Sequence, residues 1–233
     1  LPVFAVLATV AASGLPLTVS RLITKYRAEQ DRNAQQSVLT AALLSALFFS
    51  VPVFLLLWLG RGAFGFLFSD ERCMAVLLVL LPSLTFNSVY SVLRGAMWGN
   101  KQFIPYCVID LAEELCMIGA GVLLVTRMTD VFDGAKRVAF AVVLSYLVSF
   151  TLSVLYYFCK GGRLRSPRGQ LKPLLSSALP ITGMRTSNSL MNSAISLLLP
   201  ARLMAAGLSE SEAMSEIGVA MGMSMPVLSI PAT

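Results

Sequence analysis

The chain of 233 residues is 56% apolar and 13% charged, carries 18 basic against 12 acidic side chains for a net charge of +6, and contains no histidine. Soluble domains carry charge on roughly a quarter of their residues, so this balance, with a mean hydropathy of +0.76, argues against a soluble enzyme. The lack of imidazole argues further against zinc sites and histidine-based acid–base catalysis.

The charge-free runs between Arg32 and Arg61, Arg72 and Arg94, and Arg137 and Lys160 are each long enough for a bilayer core, which takes about 20 helical residues. The expected class is an all-α, polytopic transmembrane helical bundle. The first span is expected over Pro2–Ile23, interrupted at Gly14 and Pro16; it lacks a basic leader region and does not read as a signal peptide. Ser37–Leu59 is the second span, with Pro52 inside it. The following Gly60-Arg-Gly-Ala-Phe-Gly65 matches a dinucleotide-binding pattern. That motif needs a preceding strand and an acid about 20 residues on. Neither is present, so the glycines are expected to shape an external turn.

Met74–Val92 is the third span, broken by Pro82, and Phe103–Val125 the fourth. The fourth holds Asp110, Glu113 and Glu114. Ionisable groups in a bilayer cost several kcal/mol unless they face a bundle interior or an aqueous path. Helical spacing separates Glu113 from Glu114 by about 100°, so Asp110 with one of the two is expected to face a cavity. Val138–Phe158 is the fifth span. After it, Lys160 to Lys172 contains five basic residues, no acid, several glycines and Pro167, and predicts a flexible cytoplasmic linker. Pro173–Leu199 is the sixth span, with Arg185, Asn188 and Asn192 on a polar side that also carries Thr182, Ser189 and Ser196. A seventh begins at Ile217, where Gly218 and Gly222 permit close helix approach and Pro226 and Pro231 interrupt.

Alternate loops differ in charge. The set around residues 21–32, 94–101 and 160–172 holds 11 basic and 2 acidic residues, the opposite set 6 and 7. The basic set is therefore expected in the cytoplasm, in a multi-pass protein of the cytoplasmic membrane. The net charge belongs to a membrane surface, and no nucleic-acid partner is expected. Cys73, Cys107, Cys116 and Cys159 form no metal-binding or redox pair and are expected as membrane-buried packing residues. No catalytic residue, metal ligand or cofactor is assigned. The start at Leu1 without methionine and the end at Thr233 in an apolar run suggest a fragment of a longer protein.

Gly14-Leu-Pro-Leu17 with Ser20-Arg-Leu22, then Leu93-Arg-Gly95 with Gly99, and Leu199-Pro-Ala-Arg-Leu203 with Ala206-Gly-Leu-Ser209, resemble the polysaccharide-biosynthesis, stage V sporulation protein B-like branch of the MOP (MATE-like) flippase superfamily. The resemblance implies two lobes around a central cavity. Residues 1–159 would be the first-lobe bundle, 160–172 the basic linker and 173–233 the start of the second lobe. It implies a transporter that flips a lipid-linked oligosaccharide or peptidoglycan precursor by alternating access, with membrane lipids and the lipid-linked saccharide as partners. Asp110, Glu113, Glu114, Arg185, Asn188 and Asn192 become candidate pathway residues, and Arg21, Arg94 and Arg202 candidate interfacial lipid contacts. Relatives often carry a basic residue at the place of Arg185. Many also follow the acid of the fourth span with an arginine, whereas Leu115-Cys116-Met117 stand here, which leaves the substrate headgroup and coupling ion open. The alternatives are a cation-coupled multidrug exporter of the same superfamily or a non-transporting membrane scaffold.

Overall fold

A computed structural model describes residues 6, 9–10, 14–59, 71–125, 131–167, 169–207 and 209–219. The described residues are helical with no strand: α1 (Leu15–Ala28), α2 (Arg32–Leu59), α3 (Glu71–Gly99), α4 (Phe103–Val125), α5 (Val131–Cys159), α6 (Leu171–Ala205) and α7 (Glu210–Val219). Arg32–Leu59, Ala75–Gly99 and Gly134–Cys159 are long and apolar enough to cross a membrane. The 23 residues of α4 would rise about 34 Å, also a spanning length, but they include the three acids. The external turn Gly60–Gly65, Gly222, Pro226, Pro231 and part of the first span before Gly14 lie outside the described residues.

The chain divides into two compact units, Val3–Thr186 and Ser187–Thr233, with the division inside α6. In the first unit α3 is the central helix: 61% of its apolar stretch is buried, against 22% for α2 and 28% for α5. It packs on α1, α2 and α5, and α4 lies chiefly on α5. Leu15, Val19 and Ile23 of α1, Val38 and Leu39 of α2, Val92 and Leu93 of α3 and Leu174 of α6 form the main core.

Small residues set these crossings. A side chain at Gly95 would drive into the Pro16 carbonyl, and one at Gly99 would come within 2.8 Å of the Ser20 carbonyl. The backbones of α1 and α3 therefore touch, which requires residues without bulk. On α5 the buried Ala141, Ser145, Ser149 and Ser153 recur every four residues, lining one face. Each of the three serines donates its hydroxyl to the carbonyl three residues back, at 2.9, 3.2 and 2.9 Å, so burial leaves no hydroxyl unpaired.

Sharp turns join the helices at one end. The N1-region Pro16 favours helix initiation at Leu15, and α1 closes with Gln30 at φ 58° and Asp31 N donating to Tyr26 O at 3.0 Å. Asp31 Oδ1 then accepts from Asn33 and Ala34 N, each at 2.9 Å, capping α2. Lys101, at φ 55°, turns α3 into α4 in the same manner.

Two expectations are corrected here. The third helix runs on to Gly99, seven residues beyond Val92, and so takes Arg94 out of the loop and into α3. The segment after α5 is tied down instead of hanging free: Arg165 donates to Thr40 Oγ1 and Gln36 Oε1 at 3.1 and 3.2 Å, Tyr26 to Gln170 Oε1 at 3.0 Å, and Tyr157 to the Arg163 carbonyl at 2.9 Å. Cys107 and Cys159 are free thiols on the outer surfaces of α4 and α5, and Cys116 is half-buried.

In the second unit, α7 opens with a reciprocal cap. Ser209 donates through Oγ and N to Glu212 Oε2 at 2.7 and 3.0 Å, and Glu212 N donates back to Ser209 Oγ at 3.3 Å. The Ser209 hydroxyl and amide hold the Glu212 carboxyl below its usual range.

Candidate functional site

Positions 90, 94 and 98 lie one turn apart on α3, and 106, 110 and 113 follow one another down α4, so two helical faces bring six polar or aromatic side chains together. Tyr90 Oη donates to Asp110 Oδ1 at 2.9 Å and Tyr106 Oη donates to Oδ2 at 3.0 Å. The Arg94 guanidinium lies over the rings of Tyr90 and Trp98, 5.6 and 5.4 Å from their centroids. Trp98 in turn meets Tyr106 edge-on at 5.5 Å. The contacts close a ring: Arg94, Tyr90, Asp110, Tyr106, Trp98 and back to Arg94. Met97 and Ile109 seal it with apolar surface, and Tyr156 packs against it from α5.

Each member has a reason to be there. Two phenol donors replace the hydration that a buried aspartate would lose, and a planar cation desolvates onto aromatic faces more cheaply than an ammonium does. Glu113 lies one turn below Asp110 and within reach of the Ser149 hydroxyl of α5; Asp110, Glu114 and Arg94 are its charged neighbours. Two buried polar atoms of this cluster keep no partner, Arg94 Nε and Glu113 Oε2. Native structures leave few such atoms unpaired, and these two belong to one donor and one acceptor of the same cluster.

The candidate residues separate accordingly. Asp110 and Glu113 come together with Arg94 as a charged neighbour, whereas Glu114 is exposed on the flank of α4. Arg185, in the first unit, is exposed on α6, and the basic neighbour of the acids is Arg94 instead. Asn188 and Asn192, in the second unit, are exposed, as are Arg21 and Arg202. Tyr90, Trp98, Tyr106 and Ser149 were not anticipated. Their spacing at i and i+4 from Arg94, Asp110 and Ser145 was the available signal. Among the described residues no three acids or thiols converge into a metal-binding group.

The outer face of α4 differs completely. Ile104, Val108, Leu111, Leu115, Ile118 and Val122 are all exposed at alternating spacings of four and three, a continuous apolar stripe. Such a face in water would be an aggregation liability; against lipid it is the expected surface.

Comparison with known proteins places this arrangement. The family model described as Polysaccharide biosynthesis protein matches residues 1–222. Stage V sporulation protein B of Bacillus subtilis (strain 168) is 25% identical over 250 residues, covering 99% of this chain and 47% of that protein. A solved structure, the inward-facing conformation of a multidrug resistance MATE family transporter of the MOP superfamily, superposes with a TM-score of 0.71 at 18% identity, over 95% of this chain and 57% of that one. The chain thus spans about half the length of the curated relative it matches.

Proposed function

The chain belongs to the polysaccharide biosynthesis protein family, and from that premise we propose that it forms part of a membrane flippase of the MOP superfamily. The cargo is a lipid-linked saccharide, carried across the cytoplasmic membrane by alternating access of two lobes. The half-buried ring around Asp110 is the observation that carries this reading. Helices built only to anchor a scaffold have no use for an aspartate, a glutamate and an arginine within apolar spans, each costly there. Asp110, Glu113 and Arg94 form a polar path whose unpaired Arg94 Nε and Glu113 Oε2 respond to a proton, a coupling ion or a substrate group. Arg185 supplies the contact to an anionic headgroup, most simply the diphosphate of a polyprenyl-linked sugar. A guanidinium holds such a group through two parallel hydrogen bonds. No covalent catalysis is required, so the protein acts as a transporter and not as an enzyme.

The test is translocation of a fluorescent polyprenyl-diphosphate sugar by the full-length protein in proteoliposomes. Movement above that of protein-free vesicles, lowered severalfold or more by Glu113→Gln at normal expression, supports the reading. Equal rates with and without protein overturn it, and drug efflux with no sugar movement would transfer the assignment to a multidrug exporter.

A further inference from the structure

A second polar site lies away from the ring, where the three basic turns meet. Ile23, Leu39, Leu93 and Met97 floor a cavity of about 290 Å³ whose rim carries Arg32, Gln35, Gln36, Asn100 and Lys160. A neighbouring hollow shares Arg32, Gln35 and Asn100 and adds Arg27. Three cations and several carboxamides therefore surround one opening, and among the described residues no carboxylate lines either part. The nearby acid Asp31 is already engaged, accepting from the Asn33 and Ala34 amides at 2.9 Å. The wall is also held in shape. Gln36 Oε1 accepts from Arg165 Nε at 3.2 Å, which leaves its amide N–H groups as the free ones. Lys160 sits over the Tyr156 ring, 5.9 Å from its centroid, which fixes the ammonium at the rim.

We propose that this cavity binds a phosphate group, its charge met by Arg27, Arg32 and Lys160 and its remaining oxygens by the carboxamides of Gln35 and Asn100. Convergent cationic and amide donors without a competing acid suit an acceptor-only, multiply charged ligand. The apolar floor suits one esterified to a carbon chain. The phosphate can come from an anionic lipid headgroup or from a soluble phosphate, and both present the same oxygens to the rim. None of the five ring residues lines the cavity, although Met97 and Tyr156 border both, so the rim cations are tested independently of the transport reading.

The experiment uses the full-length protein purified in a neutral detergent. One arm titrates inorganic phosphate at constant ionic strength, with chloride as the comparison, and reads thermal stability. The other reads retention of phosphatidylglycerol against phosphatidylcholine by native mass spectrometry. The parent is expected to bind in at least one arm, and Arg32→Gln with Lys160→Gln to weaken that binding about tenfold or more, the loss of charge-assisted hydrogen bonds. Lys25→Gln with Lys172→Gln, which removes equal charge outside the cavity, is expected to bind as the parent does. Binding of phosphatidylglycerol alone assigns a lipid site, and binding of phosphate alone a soluble ligand. Indifference of the parent in both arms overturns the proposal, and so does equal weakening by the two double variants. If the first double variant does not fold, Gln35→Met serves in its place: a severalfold weakening supports the site, and unchanged binding overturns it.

Discussion

Arg94 has a planar head lying over two rings, and its chemistry follows from that shape. A lysine would keep the charge but lose the flat face and fork of donors. Arg94→Lys is therefore expected to lower stability by about 0.5–2 kcal/mol, the range of a desolvated cation–π contact, measured as thermal unfolding in detergent. Asp110→Asn removes more than charge. The amide can accept from one phenol, but its N–H₂ then faces the other, so one buried hydroxyl loses its acceptor at about 1–3 kcal/mol. Tyr106→Phe made in the Asp110→Asn background should recover part of that loss, because the stranded hydroxyl is gone; a strictly additive double variant would show that the two residues are not coupled. Arg185 has the opposite surroundings, exposed on α6 with Arg94 taking the place beside the acids. Arg185→Gln is expected to reduce sugar translocation severalfold in the full-length protein, and adding Glu113→Gln should not restore it. Restoration would make the arginine a structural partner of the acid.

At the level of helices, the crossing of α1 and α3 depends on Gly95 and Gly99, and the contrast with Gly119 tests it. A side chain at Gly95 meets the Pro16 backbone, whereas one at Gly119 meets nothing within 4 Å. Gly95→Ala should cost about 1–3 kcal/mol by overpacking. Gly119→Leu should be neutral or stabilise by up to about 1 kcal/mol through helix propensity. Thermal unfolding of the two side by side decides it, and equal effects would mean the crossing is not tight. The charge-free runs foretold α2, α3 and α5 because spanning length and apolarity are local properties. The pairing of helices was not legible in the same way. Arg94 read as a loop charge, since a charge after an apolar run ordinarily marks its end, and only the aromatic faces at Tyr90 and Trp98 let α3 carry it inside. Gly95 and Gly99 were noticed as parts of a resemblance, while their function as a contact between two backbones needed the partner helix. The strap after α5 was read as flexible from its glycines; besides the local Tyr157 bond, the hydrogen bonds that hold it come from residues 36, 40 and 26, more than a hundred positions earlier in the chain.

For the whole molecule, the shared cavity at the turns near Arg32, Asn100 and Lys160 brings the three basic loops to one end, which is where the excess of basic residues predicts the cytoplasmic side. In a variant of the full-length protein lacking the native cysteines, a cysteine at Ser166 should resist an impermeant thiol reagent in intact cells and one at Arg137 should react. The reverse pattern would invert the orientation. The small-residue faces have a further consequence, for which substitutions selection can accept. Gly14, Gly95, Gly99, Ala141, Ser145, Ser149 and Ser153 should be filtered by volume: a saturation library would retain small residues there whether polar or apolar, and reject leucine. The outer stripe of α4 should be filtered by polarity: leucine, valine, phenylalanine and methionine would interchange freely at Ile104 or Ile118, and a single aspartate would be lost. One helix bundle would thus carry two independent alphabets, one written in size and the other in solubility in lipid.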